Sequence, residues 1–135
     1  MLRHLRTINA LEISVGVAEP KTHTGKGDSV SMADLYHWQD QGTRTIPARE
    51  TLKPAVRAAN KRELTMALVR GAATGGYRDA MREGGESMAK AVKVEIMRIK
   101  SPALKPNTIR NRVNGGTNPL VDTGQLIRSI GSVVK

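Results

Sequence analysis

The stretch that organises this chain covers residues 31–57 and reads SMADLYHWQDQGTRTIPARETLKPAVR. It contains two of the three aromatic residues of the protein, one tyrosine and one tryptophan. An amphipathic helix is predicted over residues 32–40, because Leu35 and Trp38 lie three positions apart on the face that also carries Met32. The rest of the stretch determines how this helix joins the elements that follow it.

Local signals mark both ends of the helix and the corner after it. Ser31 is expected to cap the first turn, and Gly42 to end the helix, since glycine accepts a left-handed backbone without steric cost. Pro47 fixes its own backbone and favours an extended Ile46. A second helix is expected to begin near Leu52, because a proline is tolerated in its first turn. The stretch is thus predicted to form helix, sharp turn, rigid proline corner and helix.

Composition limits the size of the core and the chemistry available to it. The 135 residues suit one domain, of which 39% are hydrophobic but only 2% aromatic, so an aliphatic core is expected. So modest a core favours assembly with copies of the same chain. The absence of cysteine excludes disulfide scaffolds, thiol nucleophiles and cysteine-based zinc sites. No apolar run has the length of a membrane span, and the first residues lack the apolar stretch of a signal peptide.

The net charge of +10 predicts a polyanionic or acidic partner. A basic nucleic-acid-binding module is therefore an alternative function for this chain. Aromatic side chains that could stack on bases are scarce, and the basic residues are dispersed among acidic ones rather than grouped in blocks. Both features argue against direct nucleic-acid binding as the main function.

Periodicity predicts two strands and two long helices. Residues 11–17 alternate between apolar and polar as a half-buried strand does, and residues 129–134 form a final strand expected to pair with them. Helices are predicted over residues 52–73 and 77–100. The second helix carries an apolar stripe formed by Met81, Gly85, Met88, Val92, Ile96 and Ile99. The predicted fold class is α+β: a small antiparallel sheet packed against two long helices, with short helices at the connections, in one domain over residues 1–135.

Glycine and proline define the connections. Residues 19–30 are expected to form an exposed loop or hairpin tip, and their Gly-Lys pair lacks the neighbours that a phosphate-binding loop requires. The adjacent Gly84 and Gly85 indicate either a kink or a close helix contact. Pro106 is expected to open a short helix over residues 107–113 with its two apolar residues, Ile109 and Val113, inward. Asp122 or Thr123 is expected to cap a last short helix over residues 124–128.

A search for catalytic patterns yields one candidate. Asp122, Thr123 and Gly124 form the signature of retroviral-type aspartic proteases, in which two copies must bring two aspartates together. Only eleven residues follow Gly124, whereas that fold needs most of a domain after the motif, so a helix cap is the preferred interpretation. The three histidines are too far apart in sequence to indicate a metal site.

Three short motifs occur in a fixed order along the chain. They are WQDQGTRTIPARETLKP at residues 38–54, ALKPNTIRNR at residues 103–112 and PLVDTGQLIRSI at residues 119–130, and the strand ISVGV precedes them at residues 13–17. In this order they resemble the tail-completion, neck or virion-morphogenesis proteins of tailed bacteriophages, which act where the head joins the tail.

Two departures from the family pattern fall in the corner. Where the family has Pro-Phe after the arginine, this chain has Glu50 and Thr51, and where it has Glu-Phe before the glycine, this chain has Asp40 and Gln41. The aromatic anchor of the corner is therefore absent, and Trp38 is expected to take its place.

The resemblance implies a structural subunit, with no enzymatic activity, cofactor, metal or small-molecule substrate. Such proteins form homo-oligomeric rings, commonly hexamers, that close or terminate the tail tube. The ring contacts the connector or portal-associated proteins and lets DNA pass non-specifically through its lumen, without any contact with a membrane. The expected location is the tail or neck of the virion, after assembly in the host cytoplasm.

Two groups of site residues are predicted on this basis. An interface with other subunits or partner proteins is expected at Trp38, Gly42, Arg44, Ile46, Pro47, Arg49, Lys21 and Lys26. A structural role is expected for Pro106, Thr108, Pro119, Asp122, Thr123 and Gly124. The nucleic-acid-binding module and a small hydrolase built on Asp122 remain the alternatives.

Overall fold

The structure, a computed structural model, describes residues 12–17, 22–23, 30–59, 61–113 and 115–135. It confirms the α+β class. The elements are β1 (Ile13–Val17), β2 (Thr22–His23), β3 (Val30–Ser31), α1 (Met32–Gln41), α2 (Leu52–Ala58), α3 (Lys61–Thr74), α4 (Tyr77–Arg98), α5 (Pro106–Arg110), α6 (Gln125–Ser129) and β4 (Ile130–Val134). Most of the predicted loop over residues 19–30, including Lys21 and Lys26, lies outside the described residues.

The first described strand and the final strand form one antiparallel pair, as the sequence predicts. Ile13 lies opposite Val134, and Val17 lies opposite Ile130. The ladder continues past β4 through two bonds of 2.9 Å, in which the backbone N–H of Glu12 and that of Lys135 each donate to the carbonyl of the other residue. β2 and β3 form a second, very short antiparallel pair immediately before α1.

Helix α4 is the centre of the core, and it packs against the β1–β4 sheet, against α2 and against α3. Val92 and Ile96 are fully buried on it, which confirms the middle of the predicted stripe. The central buried cluster is aliphatic apart from Tyr36. Its members are Met32, Tyr36, Ala55, Ala89, Val92, Ile96, Leu120, Leu126 and Ile130.

The glycine pair in α4 marks a close contact, and the helix continues through it without a break. A Cβ atom on Gly85 would lie 2.8 Å from Oγ of Ser132 in β4 and 3.1 Å from Cγ2 of Ile13 in β1. A Cβ on Gly84 would overlap the side chain of Leu64 on α3. The two glycines therefore let the sheet and α3 approach α4 from different sides, which offsets their low helix propensity of about 1 kcal/mol each.

Three sequence predictions are wrong in detail. The helix predicted over residues 52–73 is divided into α2 and α3, because the backbone becomes extended at Ala59 with ψ of 138°. Helix α5 ends at Arg110, and Val113 is 78% exposed rather than directed inward. Helix α6 begins at Gln125 after Gly124, which has a left-handed φ of 77°.

Replacing Val92 by aspartate should unfold the protein. The side chain is fully buried in an aliphatic cluster, so the new carboxylate would have neither water nor a cation beside it. We expect a loss of about 4 kcal/mol or more in the free energy of unfolding, measured by urea denaturation followed by circular dichroism. The matched control is Val94→Asp, two residues further on and 37% exposed, which should cost about 0.5 kcal/mol. Equal losses for the two variants would contradict this description of the core.

Candidate subunit interface at the proline corner

Helix α1 begins and ends as its sequence predicts. The hydroxyl of Ser31 accepts the backbone N–H of Asp34 at 3.0 Å and donates to its carboxylate at 2.6 Å. At the other end, Gly42 has a left-handed φ of 79°, and its N–H donates to the carbonyl of Trp38 at 2.9 Å. A Cβ on Gly42 would lie 2.8 Å from the backbone nitrogen of Ala48. Glycine is thus required here for the chain to turn back on itself.

The buried face of α1 differs from the predicted one. Met32, Tyr36 and Asp40 are buried at intervals of four residues, whereas Trp38 is 40% exposed. Tyr36, rather than Trp38, is therefore the aromatic anchor of the corner. Apolar periodicity could not predict that Tyr36 and Asp40 face inward. A tyrosine hydroxyl and a carboxylate can be buried only when buried partners accept or donate their hydrogen bonds.

The carboxylate of Asp40 holds the start of α2. Its Oδ1 accepts the backbone N–H of Thr51 at 2.7 Å, the N–H of Leu52 at 3.1 Å and the hydroxyl of Thr51 at 3.1 Å. Its Oδ2 accepts the side-chain amide of Gln41 at 2.7 Å. The first amides of a helix have no partner within it, so a side chain from the end of α1 caps the beginning of α2.

Tyr36 extends this buried network by one bond. The Thr51 hydroxyl donates to Asp40, so the Tyr36 hydroxyl is the donor in its 2.9 Å bond to Thr51. Burial raises the pKa of Tyr36, the bond to Thr51 opposes that shift, and the nearby charge of Asp40 raises the pKa further. Tyr36 therefore remains a neutral donor.

Arg49 is buried inside the subunit, 4% exposed, although the sequence places it in the interface group. Its Nε donates to the carbonyl of Pro102 at 2.8 Å, and its Nη1 donates to the side-chain carbonyl of Gln39 at 3.2 Å. Its backbone N–H also donates to the carbonyl of Gln39 at 2.9 Å. Burial lowers the pKa of Arg49, and the charge of Arg112 lowers it further. Arg49 joins the corner to the segment that follows α4, so its side chain is not part of the outer surface.

The tip of the corner is a stiff, exposed bend. The hydroxyl of Thr43 accepts the N–H of Ile46 at 3.1 Å, and the backbone N–H of Thr43 donates to the carbonyl of Ile46 at 2.8 Å. Arg44 and Pro47 are exposed at this bend, and Ile46 is half-buried. Of the predicted interface residues, Trp38, Arg44 and Pro47 therefore lie at the surface, while Gly42 shapes the bend.

A second polar network orders the loop before α6. The guanidinium of Arg112 donates to the carbonyls of Gly116 and Val121 at 3.0 Å, of Pro119 at 2.9 Å, and of Asn118. The Asn118 side-chain amide donates to the carbonyl of Met97 at 2.9 Å, which ties the loop to the end of α4. Neither role could be predicted from the sequence, because the partners of both side chains are backbone carbonyls.

The predicted motif residues lie before, within and after this network along the chain. Pro106 is the first residue of α5 and is exposed, as is Thr108, whereas Pro119 is buried. Neither predicted cap occupies the N-cap position of α6. Thr123 accepts only a long 3.5 Å bond from the amide of Gln125. Together with Asp122 and Gly124, Thr123 lines a small cavity of about 170 Å³.

Comparison with protein-family models, with curated proteins and with solved structures finds no match to this chain. Within the described ranges, no three histidine, aspartate or glutamate side chains are grouped so that they could hold a metal ion. No helix in that same part of the chain has the length and apolar character of a membrane span. The surface and its charges therefore carry the functional argument.

Replacing Asp40 by asparagine should destabilise the protein without changing its fold. The amide keeps the shape of the carboxylate but loses its charge, so the bonds from Thr51 and Leu52 weaken. We expect a loss of about 1.5–3 kcal/mol in the free energy of unfolding, measured by urea denaturation. The control is Asp34→Asn, the same change at the exposed start of α1, which should cost about 0.5 kcal/mol. If Asp40→Asn proved as mild as its control, Asp40 would not hold the corner.

Proposed function

We propose that this protein is a structural subunit that assembles with copies of itself into a ring at the head–tail junction of a tailed bacteriophage. In this role it joins the tail to the connector and leaves a lumen through which DNA passes. Two lines of support combine in the proposal. The ordered motifs resemble the head–tail joining family, and α3 exposes apolar side chains that a solitary subunit leaves in water.

Two large apolar side chains exposed on the outer face of α3 are the observation that carries the proposal. Its inner face packs on α4 through Ala67 and Gly71, where a Cβ on Gly71 would lie 2.9 Å from that of Ala80. Its outer face presents Met66, 52% exposed, and Val69, 63% exposed. Large apolar side chains exposed on the outer face of a helix mark a candidate contact surface, because water disfavours them.

A groove of similar character lies on another side of α3. It has a volume of about 370 Å³, and its lining includes Val56, Leu64, Leu68 and Met88. Met66 and Val69 form an exposed apolar ridge on α3, and the groove lies on another side of the same helix. Two such surfaces on one subunit allow a head-to-tail contact between copies, which closes into a ring when the rotation from one copy to the next permits. The ridge at Met66 and Val69 of one copy is a suitable occupant for the groove of the next.

The distribution of charge supports a polyanion or an acidic neighbour. Asp79 and Glu83, near the start of α4, form ion pairs with arginines, and the bond between Arg70 and Glu83 is 3.2 Å long. Further along the same helix, Lys90 and Lys93 have no carboxylate partner among the ion pairs of the described residues. The net charge of +10 over the whole chain suits DNA passing through a lumen as well as an acidic ring beside it.

Replacing Val69 by aspartate should prevent assembly while the subunit stays folded. We expect rings of the wild-type protein in sedimentation and negative-stain electron microscopy, and monomers of Val69→Asp with an unchanged melting temperature. The control Ala103→Asp adds the same charge at an exposed residue outside α3 and should leave the rings intact. A wild-type protein that stays monomeric at tens of micromolar would contradict the proposal. Tight binding of such a monomer to duplex DNA, steeply dependent on salt, would favour the nucleic-acid-binding module instead.

A further inference from the structure

Strand β1 has an edge that no other strand covers among the described residues. Glu12 and Lys135 exchange both of their backbone bonds across the β1–β4 ladder. Antiparallel pairs alternate between residues that bond across the ladder and residues whose backbone groups point outward. In this register the backbone N–H and C=O groups of Ser14 and Gly16 bond to β4. Those of Ile13, Val15 and Val17 point away from β4.

A groove runs between this edge and α1. It has a volume of about 360 Å³. It is lined by Val15, Gly16 and Val17 on the strand, by Ala33, Tyr36, His37, Asp40 and Gln41 on the helix, and by Leu52 at the start of α2. Tyr36 is buried, whereas Ala33 and His37 are exposed. The groove thus combines an apolar floor with a row of outward backbone donors and acceptors along one wall.

Gly16 keeps the strand accessible from its outer face. A Cβ atom at this position would have no heavy atom within 4 Å. The residue has a φ of 154°, in a region that side chains with a Cβ rarely adopt. A glycine inside a strand often marks a place where another backbone approaches closely.

We propose that the groove between β1 and α1 binds an extended, acidic segment of a partner protein, which adds to β1 as a further strand. The outward N–H and C=O groups of Ile13, Val15 and Val17 supply the backbone bonds of strand addition. Side chains of a strand alternate between its two faces, so every second residue of the segment meets the apolar floor. The net charge of +10 attracts an acidic segment to the protein, and the acidic side chains of that segment lie on the face turned away from the groove.

Strand β4 of a second copy is a poor occupant of this groove. One face of β4 is covered by α4, since Ser132 lies against Gly85. Helices α1 and α4 share one core with the inner face of the sheet, so both lie on the same side of it. A second copy that added its β4 would bring its α4 into α1. The groove therefore suits a segment that has no helix packed on its inner face.

The test uses a short, fluorescently labelled peptide that alternates valine and glutamate, with a control peptide in which the valines are grouped together. The binding partner is the full-length Val69→Asp variant, so a failure of ring assembly leaves this experiment unaffected. Hydrogen exchange of the free protein should show fast-exchanging amides at Ile13, Val15 and Val17. The alternating peptide should slow these three amides about tenfold or more and leave Ser14 and Gly16 unchanged.

A variant that fills the groove provides the second arm of the test. Ala33→Trp places a large side chain over the groove from an exposed helical position, and it should weaken peptide binding about tenfold or more, as measured by fluorescence anisotropy. Ala103→Trp, the same change at an exposed residue elsewhere, should not weaken it. Four results would overturn the proposal: no binding of the alternating peptide, equal binding of the control peptide, equal binding to Ala33→Trp, or protected amides along β1 before any peptide is added.

Discussion

The bonds from the Asp40 carboxylate to the backbone of Thr51 and Leu52 are the constraint on which the corner depends. They connect the last turn of α1 to the first turn of α2 across a bend of ten residues. The buried hydroxyls of Thr51 and Tyr36 complete the network, so this carboxylate is surrounded by donors although it is 4% exposed. A buried charge of this kind is stable only when its hydrogen bonds are made, which gives the corner one preferred geometry.

Arg49 extends that constraint to the other half of the molecule. Its bond to the carbonyl of Pro102 joins the corner to the segment after α4, 53 positions further along the chain. The contacts that shape the corner thus lie within one subunit. The side chains that the corner exposes to a partner are those of Trp38, Arg44 and Pro47. The ridge on α3 and the groove beside β1 are separate surfaces, so self-assembly and the binding of an extended segment need not compete for the same residues.

Local signals in the sequence predicted much of this fold. The cap at Ser31, the turn at Gly42, the antiparallel pairing of the first and last strands and the extent of α4 follow from neighbours within a few residues or from simple alternation. Tertiary contacts determine the rest. Asp40 and Arg49 resemble surface residues in the sequence, since most of their partners lie ten or more positions away. The partners of Arg112 lie four to nine positions away, but they are backbone carbonyls, which leave no mark on the sequence. Trp38 is expected on the apolar face of α1 because apolar periodicity cannot weigh a tyrosine with a buried hydroxyl partner against a more apolar tryptophan.

Native-state hydrogen exchange of the backbone amides tests the central claim most directly. If Asp40 fixes the corner within the subunit, the amides of Thr51 and Leu52 should exchange as slowly as those in the buried middle of α4. They should do so in the monomeric Val69→Asp variant as well as in the wild-type protein. Exchange of these two amides as fast as that of the exposed bend at Arg44, while α4 remains protected, would contradict the account.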